Sequence, residues 1–171
     1  MNRIILIGCV KTKLPQEDFP NGAAFVEAKS LYRSPLFDRR RAHAEASGHP
    51  WGIISAFYGV VAPDDPMHSY EQTIAERDVD AWNRRVWIGL WHFARRVEGQ
   101  RDHRPLLPPM VLEVHAGRPY VDALNDWLGK HGQWTEQVRV EHPVKGLQIG
   151  EQLAFYDRPT ELVQLELRGV A

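Results

Sequence analysis

Cys9, Ser55, Asp65, Lys11 and Lys13 are the side chains of this sequence best suited to carry a reaction. Cys9 ends a short apolar run and is followed by two lysines, in "GCVKTK". Neighbouring ammonium groups favour a thiolate, the form of cysteine that attacks electrophilic carbon. A free cysteine is equally a small buried apolar residue, and both readings stand at this point. Lys11 and Lys13 suit an anionic group such as phosphate or carboxylate, or are plain solvated charge. Ser55, in "IISAFYG", is a second candidate nucleophile. It lacks the Gly-x-Ser-x-Gly elbow and also reads as a strand-end serine bonded to nearby backbone. Asp65, in "APDDP", offers acid–base chemistry or ordinary turn chemistry. His115 is a base candidate or a satisfied strand histidine. The single cysteine and scattered histidines show no metal-ligand spacing, so neither a metal nor a cofactor is expected.

The longest informative stretch is "IISAFYGVVAPDDPMHSYE". It begins as a buried strand and then presents Phe57, Tyr58, Gly59, Tyr70 and Glu71. Tyr58 and Phe57 could stack on a flat ring or pack on the core. Tyr70 and Glu71 could complete a pocket wall, and Glu71 also suits the first turn of a helix. Such groups need elements to hold them. "RIILIGCV", "WGIISA" and "MVLEVHA" read as short apolar strands, and "EQVRVEHPV" as a fourth. Helices are expected over "AAFVEAKSLY", after the Ser-Pro of "SPLFDRRRAHAEASG", from Val79 to Val97, over "YVDALNDWLGKHG", and in or near "KGLQIGEQLAFYDR". "ELVQLELRGV" reads as a terminal strand or a docking helix. The alternation predicts one α/β domain over residues 1–171, a mostly parallel sheet flanked by helices in a Rossmann-like sandwich. In open parallel sheets ligands bind beyond the carboxyl ends of the strands. Those ends are Gly8-Cys9, Ser55, and His115-Ala116-Gly117, which would cluster the polar and aromatic groups at one edge.

The chain has 171 residues, 43% apolar and 25% charged, with a net charge of −1. That balance is an ordinary globular one, and bulk charge gives no argument for a nucleic-acid partner. The single cysteine excludes an internal disulfide and points to a reducing compartment, the cytoplasm. No apolar run is long enough to span a bilayer, so no membrane partner is expected. Arg39, Arg40 and Arg41 form a basic run on one helix beside Arg33, and Arg84, Arg85, Arg95 and Arg96 lie on another; such runs are usually solvated faces. If the two helices lie side by side, they would form a phosphate-tracking surface. Trp82, Trp87 and Trp91, with "ELVQLEL", are candidates for a homodimer interface.

"GCVKTK", "LYRSPLF" and "IISAFYGVVAPDDPMHSYEQTI", followed by "HAGRPYVDAL" and "HPVKGLQIGEQLAFY", together resemble a family of small uncharacterised bacterial and phage domains. These domains are related to the peroxide-stress protein YaaA. The resemblance covers most of the chain and keeps the order of the motifs. It implies recognition of a nucleobase or nucleoside, free or in nucleic acid. Relatives act in DNA base modification, including conversion of a deazaguanine nitrile to an amide. Carried over, the pocket would use Cys9, Lys11, Lys13, Tyr32, Ser34, Ser55, Tyr58, Gly59, Asp65, Tyr70, Gly117 and Tyr120. The chain is much shorter than YaaA and lacks its helix-hairpin-helix glycine pattern. The expectation is therefore an enzyme acting on a nucleobase, nucleoside or modified base, by hydrolysis or group transfer. The alternatives are a DNA-binding stress protein without catalysis and a small-ligand sensor.

Overall fold

The computed structural model describes residues 2–98, 109–132 and 137–159. Strands β1 (Asn2–Gly8), β3 (Trp51–Ser55), β4 (Gly59–Val61), β6 (Met110–His115) and β7 (Val138–Glu141) form a sheet in the order β4-β3-β1-β6-β7. β1 pairs parallel with β3 and β6, and β6 parallel with β7, so only β4 runs antiparallel. A second, two-stranded ribbon pairs β2 (Val26–Glu27) with β5 (Pro66–Met67). The helices are α1 (Ala28–Leu31), α2 (Pro35–Ala46), α3 (Val79–Glu98), α4 (Arg118–Lys130) and α5 (Ile149–Tyr156).

β1 is the middle strand, which explains its unbroken apolar run. Successive side chains point to opposite faces. Ile4 and Leu6 enter the core built with α3 and α4, while Ile5 and Ile7 enter the one built with α1 and α2. The result is a three-layer α/β sandwich, as the alternating pattern predicts. α3 buries Trp82, Val86, Leu90 and Phe93, spaced by three and four residues. Val79 and Val97, expected on the same face, are 41% and 44% exposed at the helix ends.

Two local readings differ. The expected helix over residues 23–32 shrinks to four residues, because Val26 and Glu27 pair with β5 instead. The residues after Ser55 turn back at once as β4, a strand not anticipated there. The turn needs Gly59, whose φ is +78°. The readings of "QRDHRPLLPP", apart from its last proline, and of "ELVQLELRGV" lie outside the described residues. No helix among the described residues is long and apolar enough to cross a membrane.

Candidate functional site

The chain leaves β1 toward β3 through α2 on one face, and leaves β6 toward β7 through α4 on the other. Where neighbouring strands diverge in this way, a crevice opens beyond their carboxyl ends. Cys9 follows β1 and Tyr120 stands in the first turn of α4 after β6. Their contact spans that crevice: Cys9 Sγ lies 3.1 Å from the Tyr120 hydroxyl. Cys9 is half-buried and packs against both cores.

A chain of hydroxyls extends from β3. Ser55 Oγ lies 2.8 Å from the Tyr70 hydroxyl, which lies 3.0 Å from that of Tyr32. Tyr32 is held in place by a β-bridge to Lys13. Lys13 Nζ stands 4.2 Å from the Tyr70 ring centre, and Tyr70 stacks on Phe57 at 5.2 Å. The Arg77 guanidinium lies 5.0 Å from the Phe57 ring centre. Lysine, tyrosine, phenylalanine and arginine thus form a continuous run, a stacked ring pair with a cation at each end. Tyr58 turns its edge to Tyr70 and bonds His68 Nδ1 at 2.9 Å.

Burial pushes the Tyr32, Tyr70 and Tyr120 hydroxyls well above the ordinary tyrosine range, and charge on Cys9 adds to the effect. They are proton donors at neutral pH. Burial pulls the Lys13 ammonium below the ordinary lysine value, against the opposing charges of Cys9 and Glu71. Lys13 therefore gives up its proton more readily than a solvated lysine does.

The carboxyl edge thus brings together Cys9, Lys13, Tyr32, Ser55, Tyr58, Tyr70 and Tyr120. The remaining expected residues are placed differently. Ser55 is fully buried, and its oxygen also accepts from Phe57 N and Tyr58 N at 3.2 and 3.1 Å, so it organises the turn. Ser34 Oγ accepts from Phe37 N at 3.0 Å and caps α2. Gly117 is the N-cap of α4. Gly59 is required by its backbone angle. Lys11 and Glu71 are exposed. Asp65 is the largest displacement. β4 carries the chain away from the carboxyl edge, and Asp65 accepts from Ala62 N at 2.7 Å and pairs with Arg96 at 2.8 Å. The two arginine-bearing helices lie on opposite faces of the sheet, so they make no joint surface. Trp82 and Trp87 are buried within the chain, Trp87 stacked on Trp127 at 4.6 Å.

A second polar group lies under α2 and α5. Glu113 and His115 are both fully buried on the same face of β6. His115 Nε2 lies 2.8 Å from Glu113 Oε1, and His115 Nδ1 lies 2.8 Å from the Tyr156 hydroxyl. Arg3 bonds Glu113 and, at 2.8 Å, Glu141. Burial would raise the Glu113 carboxyl, but the hydrogen bond from His115, the nearby His43 imidazole and the Arg3 charge outweigh it and hold it well below the usual range. Burial holds His115 below the ordinary histidine value. It pushes Tyr156 up to about 12. Arg77, His43 and Glu113 were not anticipated as functional. A glutamate and a histidine two apart inside an apolar strand were the available signal for the last.

Fold and edge together define an α/β sandwich with a cysteine–tyrosine pair at its strand-switch crevice. The chain belongs to the family of unknown function DUF6884, whose model matches residues 4–158. No curated protein matches it.

Proposed function

We propose that this protein is an enzyme acting on a nucleobase, nucleoside or modified base, with Cys9 as its nucleophile. The observation that carries the reading is the Cys9–Tyr120 contact at the switch-point crevice, beside an amine of lowered proton affinity. The resemblance of the motifs to the YaaA-related domains supports the substrate class. In this reading, with a nitrile-bearing base as substrate, the Cys9 thiolate adds to the nitrile carbon, forming a C–S bond. The displaced π electrons go to the attached nitrogen, which takes a proton from Lys13. Water then adds to the same carbon, its proton returns to Lys13, and the C–S bond breaks to release the thiolate. Tyr120 orients the sulfur, and Tyr32 and Tyr70 supply hydrogen bonds to ring heteroatoms. Asp65 and Ser55 take no part.

The test is a thermal-shift panel of free bases, nucleosides, nucleotides, deazaguanines and short DNA, each at low and high salt. Binding to the native state raises the melting point. A salt-insensitive shift with one small ring supports the reading and identifies the substrate class. Intact-mass spectrometry then shows an adduct on the wild type and none on Cys9→Ser, which keeps its melting point but loses turnover. A shift with DNA alone, lost at high salt, or undiminished turnover in Cys9→Ser overturns it.

A further inference from the structure

His43 comes from α2, and Glu113 and His115 come from β6. Their side chains meet between the layers, with one ligand atom from each within 4.8 Å of the others. His43 is 3% exposed, and Glu113 and His115 are 0% exposed. Neither ring nitrogen of His43 has a hydrogen-bond partner among the described residues. A buried imidazole with both nitrogens unsatisfied is costly, and native structures rarely leave one so. His43 Nε2 nevertheless points at the cluster, 3.6 Å from Glu113 Oε1.

We propose that His43, Glu113 and His115 bind one divalent transition-metal ion, with zinc the best match to the donors. Two imidazoles and a carboxylate are a donor set that zinc accepts. Ligand atoms about 2.1 Å from a tetrahedral ion stand roughly 3.4 Å apart. The observed separations from Glu113 Oε1, 2.8 Å to His115 Nε2 and 3.6 Å to His43 Nε2, bracket that spacing. Side chains behind the ligands are also in place. Tyr156 holds His115 by its other nitrogen, and Arg3 holds the second oxygen of Glu113. Such outer contacts fix the orientation of metal ligands.

The surroundings define what kind of site this is. The positive charge of Arg40 acts on His115, so the affinity is lower than that of a thiolate site. A ligand set this buried takes up its ion during folding or when α2 and α5 part. The ion therefore joins α2 to the sheet. None of this depends on chemistry at Cys9.

The test is metal content of the intact protein, unfolded and refolded with zinc or cobalt and then desalted. One ion per chain is expected, with cobalt giving a visible spectrum of imidazole coordination. His43→Gln should lose the ion, whereas His92→Gln, altering an exposed histidine, should keep it. If His43→Gln does not fold, the wild-type cobalt spectrum decides alone. A wild type that retains no ion, or a folded His43→Gln that retains as much, overturns the site.

Discussion

At the scale of single residues, the same side-chain type does different work by position. Ser34 is a helix cap, so Ser34→Ala should cost about 1 kcal/mol in urea unfolding and leave ligand-induced thermal shifts unchanged. Lys13 acts as an acid in the proposed chemistry, and its folded proton affinity is lowered. Activity should therefore fall as pH rises, at a pH below that of a solvated lysine, near 10.4. Lys13→Arg should lower turnover sharply at every pH, because guanidinium does not give up its proton. Glu113 works in the opposite sense. Its folded value is depressed, so its stabilisation is full above its unfolded value of about 4.3 and is lost as pH falls toward the folded value. Glu113→Gln should lower stability at neutral pH by about 3 kcal/mol or more, because Arg3 loses a buried partner. It should also flatten the acid limb of stability against pH.

At the scale of elements, α3 and β4 show how much could be read beforehand. The α3 pattern located the helix, because burial of one face is written every three or four residues. β4 was hidden: its three residues, Gly59 to Val61, follow a tight turn and read as an exit loop. That missed reversal is why Asp65 was expected near Cys9. The packing of β4 on α3 is close, since a Cβ on Gly89 would lie 2.7 Å from the Val60 carbonyl oxygen. Alanine ordinarily improves a helix interior over glycine by about 1 kcal/mol. Here Gly89→Ala should destabilise instead, seen as a lower denaturant midpoint with unchanged slope.

At the scale of the whole molecule, the sheet edge was legible because parallel strands must end together. The tyrosine hydroxyl chain and the His43 cluster were not. Tyr32 and Tyr70, and His43 and its partners on β6, are far apart in sequence and meet only once α1, α2 and the loop after β5 are packed. Global charge was also legible, and the fold sharpens its meaning. With its arginine helices on opposite faces, and Arg39, Arg41 and Arg96 in ion pairs, the protein lacks a continuous basic track among the described residues. A filter-binding assay at low salt is expected to retain little duplex DNA. Strong retention would require a surface the described residues do not form.

The lysine resting on Tyr70 has a consequence for the order of events. A flat ring seeking that face must first displace the Lys13 amine, which gives up a contact of about 0.5–2 kcal/mol. The displaced amine stays tethered beside the arriving ring, one short loop from Cys9. In the proposed chemistry, arrival of the ligand and release of the proton donor would then be a single exchange, freeing the amine only when there is something to act upon.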